Sequence, residues 1–307
     1  MDITILGDVK DFLGVHVSKE DNGCLHVSQP HLIDQIIDRT FQSNAKSRQT
    51  PAKASAILHR HNLLPTFISE FNYKSVIGKL NYLERGTRSD ISYATHQCAR
   101  FTADPKRPHV EAVRWLVRYL IGTRKKGYCI NPTSTKGLEL YVDADFSGNW
   151  DPETPEMDRD TARSRHGYII MYMDTPIVWK SQLQTEISLS TTESEYTGLS
   201  YALREAIPLM QMLNEMKRHG LNVNSSTPII RCKVFEDNSG AIEMAVTHKF
   251  RPRTKHINVK LHHFRDFVTK GDVIIKPIST ISQLADYLTK PLTAEILVPL
   301  RKKVMGW

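Results

Sequence analysis

The chain has 307 residues, 40% of them hydrophobic and 24% charged, with a formal net charge of +8; this is enough for two ordinary domains with cores of their own, and it excludes the disordered and fibrous classes. No apolar run reaches the ~18 residues of a membrane span, and the start MDITILGDVKDF lacks the basic-then-apolar order of a secretory signal, so no membrane partner is expected. Cys24, Cys98, Cys129 and Cys232 stand singly with no C-x-x-C pair, as expected for reduced thiols of an intracellular protein.

The first elements read as a hairpin, FLGVHVS and CLHVSQ around the turn KEDNG, followed by a helix in HLIDQIIDRTF with Ile33, Ile36, Ile37 and Phe41 at helical spacing. Residues 43–66 carry little periodic order and read as a connection. Helices are then predicted in FNYKSVIGKLNYLERGT, DISYATHQCARFTAD and PHVEAVRWLVRYLIGTRKKG. No grouping of acids or histidines marks a site in this half, which reads as a scaffold.

From about residue 136 the texture changes to strands followed by helices. Strands are predicted at 138–146, 167–174 and 176–181, a long helix at 191–217 opened by a Ser190 or Thr191 cap, and a strand over Ile229–Asp237. A short helix from NSGAIEMAVTH, a basic helix NVKLHHFRDFVTKG, a strand VIIKPIST and a final helix SQLADYLTKPL complete the order. A hairpin-first sheet extended by helix-connected strands predicts a mixed α/β layer with helices on its faces.

The stretch LELYVDADFSGNW alternates, with Leu138, Leu140, Val142, Ala144 and Phe146 on one face and Glu139, Tyr141, Asp143 and Asp145 on the other. Taken alone, this is a half-buried strand whose wet face is acidic. The domain also supplies Glu195 in the first turn of the long helix, Asp237 at the end of the fourth strand and Asp286 near the start of the last helix. Four carboxylates gathered without cations repel one another, so a cluster implies bound metal, and an oxygen-only set suits Mg²⁺ or Mn²⁺. Two such ions about 4 Å apart stabilise the attacking and leaving oxygens of a phosphodiester displacement.

The segments YVDADFSGNW, RSRHGYIIMY, WKSQLQTEISLSTTESEYTGL, EDNSGAI, RPRTKHINVK and QLADYLTKPL together resemble, in order, the ribonuclease H domain at the end of the copia-type retrotransposon Pol polyprotein. Upstream, DFLGVHVS, YKSVIGKLNYLERGTRSDISYA and HVEAVRWLVRYLIGTRKKG resemble the primer-contacting hairpin, thumb and connection of the same polyprotein. The resemblance implies a reverse transcriptase C-terminal remnant over 1–135 and, over 136–307, a ribonuclease H-like domain with a mixed five-stranded sheet, flanking helices and a C-terminal helix. It also implies hydrolysis of the RNA strand of RNA–DNA hybrids with two Mg²⁺ or Mn²⁺ ions, and a Pol polymerase portion as partner. The setting it implies is a cytoplasmic virus-like particle or the nucleus.

Carried over by motif, the catalytic and metal-holding acids are Asp143, two positions after Tyr141; Glu195, directly before Tyr196; Asp237 of the D-N pair; and Asp286 of LADYLTK. Asp145 and Glu193 are left as solvent-facing or outer carboxylates. Arg165 and His166 stand where family members carry small hydroxyl residues. His256, His262 and His263 fall where related nucleases place a mobile histidine, and none matches a motif for that role.

Between Lys249 and Lys276 eight Lys or Arg face two acids; Arg253, Lys255, His256 and Lys260 are expected along the hybrid backbone, and Asn238 either reads a 2′-hydroxyl or caps a helix. The polymerase's Tyr-x-Asp-Asp turn does not occur here, so polymerisation is not expected of the chain alone. The alternatives are a catalytically weak or inactive remnant that only binds nucleic acid, and an integrase-type strand-transfer enzyme, which would use three acids and a Cys/His zinc module.

Overall fold

The computed structural model describes residues 9–54, 57–60, 64–65, 69–131, 133–151, 158–221, 223, 227–247 and 262–307. In the first half, β1 (Asp11–Phe12), β2 (Val15–Lys19) and β3 (Leu25–Ser28) form an antiparallel meander. Gly14 and Gly23, at φ +77° and +83°, turn the chain where other residues are strained. Then come α1 (Pro30–Arg39), α2 (Tyr73–Thr87), α3 (Ser92–Ala99) and α4 (Arg107–Gly122). Pro30 starts α1 where its missing N–H costs nothing, and Asn72 caps α2 by accepting from the Ser75 backbone N–H at 2.9 Å. Ile33, Ile36, Leu80, Leu83, Val113 and Leu116 bury the apolar stripes of three of these helices against one another. One strand escaped the sequence reading: β4 (Tyr128–Ile130) pairs with β3, and three residues are too few to show alternation.

The second half is a sheet of five strands in the order β7, β6, β5, β8, β9: β5 (Leu138–Asp145), β6 (Arg165–Tyr172), β7 (Thr175–Leu183), β8 (Cys232–Glu236) and β9 (Val273–Pro277). Strand β6 runs antiparallel to both neighbours, and β5, β8 and β9 are mutually parallel. This is the mixed five-stranded sheet with flanking helices expected from the sequence. The long helix α5 (Thr191–Arg218) opens at Ser190, whose side chain accepts from the Glu193 backbone N–H. It covers one face, burying Tyr196, Leu199 and Leu203 on Leu138, Leu140, Val142 and Ile170. Beside it lie α6 (Ser239–Val246) and α7 (Arg265–Thr269).

The opposite face differs from expectation. The predicted final helix SQLADYLTKPL is instead a 3-10 turn (Thr280–Ser282) and a four-residue helix α8 (Asp286–Thr289). Pro291 breaks the path, and a separate helix α9 (Ala294–Met305) follows. Tyr287, Leu288, Leu297 and Leu300 of α8 and α9 pack on Ile169 and Met171. The face that carries Tyr141, Asp143 and Asp145 is therefore covered, not wet. The two halves also meet directly, through Ser89 Oγ and Tyr287 OH at 2.9 Å, Trp179 Nε1 donating to the Glu84 carbonyl at 3.0 Å, and Arg301 donating to Tyr119 OH at 2.9 Å.

Among the described residues no helix is long and apolar enough to cross a membrane. All four cysteines are free thiols.

Candidate functional site

Asp143 lies two residues beyond the stretch of β5 that pairs with β8, opposite Gly167 on β6. A Cβ at Gly167 would stand 2.5 Å from the Leu288 Cβ, so the absence of a side chain there lets α8 lie directly on the strand. On the other face Gly198, one turn after Glu195, brings α5 close; a Cβ there would lie 3.2 Å from the His166 Cβ and 3.6 Å from a Val142 methyl. Two helices are thus drawn onto the sheet from both sides at the level of one carboxylate.

Asp143, Glu195 and Asp237 present carboxylate oxygens that all lie within 4.8 Å of one another, from β5, the fifth position of α5 and the residue after β8. Asp286, the first residue of α8, is within hydrogen-bonding reach of Asp143. The four acids named from the sequence therefore converge. Asp143 is 3% and Glu195 and Asp286 are each 5% exposed, too little water to screen their repulsion.

Their surroundings hold them in place. Glu195 accepts from the Ala144 backbone N–H. Thr280 Oγ1 donates to Asp237 Oδ2 at 2.9 Å, and Gln283 Nε2 ties the segment before α8 to the Val142 carbonyl at 2.7 Å. Thr289 Oγ1 donates to Asp143 Oδ2, and Lys290 Nζ lies 3.1 Å from Asp286 Oδ1 and 3.7 Å from Asp143 Oδ2.

A fifth acid was missed. Glu236 ends β8 at 0% exposure. The alternation Cys232, Val234, Glu236, buried at each step, puts it on the α5 side of the sheet. That period is readable in the sequence beside the D-N pair. Thr289 and Lys290, three and four residues after Asp286, were also missed, although helical spacing places both beside that acid.

Burial, and after it the charges of Glu236, Asp143 and Asp237, pushes Glu195 up to about 11. Burial raises Glu236 to about 8, and burial with Asp143 alongside raises Asp286 to about 7. Asp143 is raised chiefly by burial, against the lowering effect of Lys290 and Thr289. Glu195 Oε2, Glu236 Oε2 and Asp286 Oδ1 are buried without a hydrogen-bond donor. A crowded, oxygen-only donor set of this kind fits a hard divalent cation, which would remove both the repulsion and the unsatisfied oxygens.

Some expectations are refined. Asn238 Oδ1 caps α6, accepting from the Ala241 N–H at 3.0 Å. Glu193 accepts from the Leu189 N–H at 2.9 Å, which gives it a place in the start of α5. Asp145 is only partly exposed and its pKa is raised, first by burial and then by Asp143, so the solvent-facing reading does not hold for it. Of the three histidines in the interval, His262 is bonded to Tyr196 OH at 2.6 Å beside Phe264, which ties it to the packing under α5. Arg253, Lys255, His256 and Lys260 lie outside the described residues.

No family model matches the chain. Curated relatives do: the retrovirus-related Pol polyprotein from transposon RE1 of Arabidopsis thaliana is 33% identical over 283 residues, covering 92% of this chain and 18% of that protein. The Pol polyprotein from transposon TNT 1-94 of Nicotiana tabacum is 32% identical over 296 residues, covering 94% and 21%. The chain belongs to the copia-type retrotransposon Pol polyprotein family. It spans about a fifth of the length of these relatives. Among solved structures, an N-terminal RNase H domain from Mycobacterium tuberculosis, made as a maltose-binding-protein fusion, aligns with a TM-score of 0.32 at 13% identity, over 54% of this chain and 96% of that one.

Proposed function

We propose that this member of the Pol family is a ribonuclease H, cutting the RNA strand of RNA–DNA hybrids. The observation that carries the reading is the convergence of Asp143, Glu195 and Asp237 from three separate elements, with Asp286 beside them. Asp143, Glu195, Asp237 and Asp286 would hold two Mg²⁺ ions, Mn²⁺ substituting. Bound there, such ions acidify water and stabilise charge on a departing oxygen.

In this reading the carboxylates fix the reacting groups, while Thr280 and Thr289 orient Asp237 and Asp143. Water attacks the scissile phosphorus in line, the bond from phosphorus to the 3′ oxygen breaks, and that oxygen takes up a proton. The products carry 5′-phosphate and 3′-hydroxyl ends. Arg253, Lys255, His256 and Lys260 would meet the hybrid's backbone without sequence preference, and the Asn238 amide would face a 2′-hydroxyl. Residues 1–135 serve as a reverse transcriptase C-terminal remnant that grips the same hybrid, and residues 136–307 as the nuclease domain; a Pol polymerase portion is the expected protein partner.

The test is cleavage of a labelled hybrid with Mg²⁺ by the wild type and by Asp237→Asn. Cleavage by the wild type alone supports the enzyme. Equal activity of the two, or none from either, sinks it and leaves the binding-only remnant.

A further inference from the structure

A cation faces the acid cluster on one side only among the described residues. On the side of Asp143 and Asp286, Lys290 Nζ stands 3.7 and 3.1 Å from the two carboxylates, and Thr289 donates to the same Asp143 oxygen. One buried oxygen each of Glu195, Glu236 and Asp286 lacks a hydrogen-bond partner, and among the described residues Lys290 is the cation at ion-pair distance, meeting the cluster at Asp143 and Asp286. Lys290 is not a distant surface charge that happens to lean inward. It ends α8, four residues after Asp286, its backbone N–H bonds to the Asp286 carbonyl at 3.3 Å, and its side chain is one-third exposed against 4% and 7% for its partners.

We propose that Lys290 is a built-in counter-cation: its ammonium holds Asp143 and Asp286 together in the metal-free protein and competes with the divalent ion that those two carboxylates would share. This rests on the metal-dependent reading of the site. A positive charge this close to both ligands must move before a divalent cation can be held by them, because two cations at such separations repel strongly in a poorly hydrated site. The one-third exposure gives the lysine stem a route toward water. The two sides therefore load differently. The Asp143, Glu195 and Asp237 side, which Lys290 approaches at Asp143 alone, takes the first ion against less opposition, and the Asp143 and Asp286 side takes the second only by displacing Lys290.

The experiment is titration calorimetry of the full chain with MnCl₂, and separately MgCl₂, without nucleic acid, on the wild type, Lys290→Met and Lys290→Arg. Methionine keeps an apolar stem without the charge, and arginine keeps the charge. The expected result is a weak second binding step in the wild type that tightens about tenfold or more in Lys290→Met and stays weak in Lys290→Arg. Thermal unfolding in EDTA gives a second readout: Lys290→Met melts below the wild type and gains more from added Mn²⁺. If wild type and Lys290→Met bind the ion equally well, or Lys290→Met binds it more weakly, Lys290 is a brace and the proposal fails while the metal site stands. If neither binds it, the metal-dependent reading fails as well. Should Lys290→Met not fold, Lys290→Gln replaces it under the same criteria.

Discussion

Around Asp90 every buried charge has a partner, whereas around Asp143 the acids outnumber the cations. In the first cluster Arg88, fully buried, donates to both Asp90 oxygens at 2.8 Å; Tyr119 OH adds a bond at 2.6 Å, and Thr123 takes two more of the guanidinium donors. Burial alone would raise Asp90, but the Arg88 charge and hydrogen bonds overcome it and hold that carboxyl below its usual range. In the second cluster one lysine faces five acids, and Glu195, Glu236 and Asp286 are all raised. The same ingredients, buried and charged, thus leave two different balances: a compensated set in the scaffold, and an acid-rich set with negative charge to spare, as the proposed metal site requires. The clusters are joined, since Ser89 beside Asp90 bonds to Tyr287 beside Asp286.

The largest expected effect separates them by activity. Asp237→Asn should remove several kcal/mol of transition-state stabilisation, a loss of roughly a thousandfold in hybrid cleavage, while the folded chain persists by circular dichroism. Arg88→Met should do the reverse. It leaves Asp90 buried and uncompensated, costs about 3–5 kcal/mol of stability in denaturant titration, and lowers activity only as far as α8 is loosened through Ser89 and Tyr287. If Arg88→Met is as stable as the wild type, the first cluster is not the brace described.

A smaller effect should follow from Gly167→Ala. The added methyl meets the Leu288 Cβ at 2.5 Å and should cost about 1–3 kcal/mol; if it pushes α8 and Asp286 outward, hybrid cleavage falls although no acid has been touched. Unchanged cleavage would show that Asp286 does not depend on this contact.

The smallest effect concerns pH. Carboxyls raised above their unfolded values of about 4 keep protons in the folded metal-free protein that the unfolded chain has already released. Their contribution to stability therefore falls as pH rises from about 5 toward the values near 7 and 8 of Asp286 and Glu236. Asp90, lowered, has the opposite sign: its contribution is present above its unfolded value and lost only as pH drops through its folded one. Melting temperatures in EDTA should decline across about pH 5 to 8, and excess Mg²⁺ should flatten or invert that trend. A rise with pH in EDTA would contradict the picture of an under-compensated site.

Much of this was readable in the sequence, for reasons that also mark where reading stopped. The four acids stood out because motif spacing and strand alternation agreed on Asp143, and because helix and strand ends are where α/β layers gather groups. Alternation assigned Tyr141, Asp143 and Asp145 to one face correctly, but a period of two says nothing about what covers that face. Here α8 and α9 cover it, and Pro291, a stop signal inside the segment read as one helix, was the cue to separate them. The balanced cluster could not be read at all: Arg88 and Asp90 are two residues apart, but Tyr119 and Arg301 reach them only through the fold.

The close approaches at Gly167 and Gly198 carry one more consequence. Where α5 and α8 lie nearest the sheet, the spacing is set by backbone resting on side-chain roots, not by the bulk of leucines and isoleucines further along the layers. The carboxylates are therefore geared to the parts of the molecule least altered when one aliphatic residue replaces another. Substitutions in the two apolar cores can therefore change how firmly the chain folds while leaving the distance between these carboxylate oxygens almost untouched.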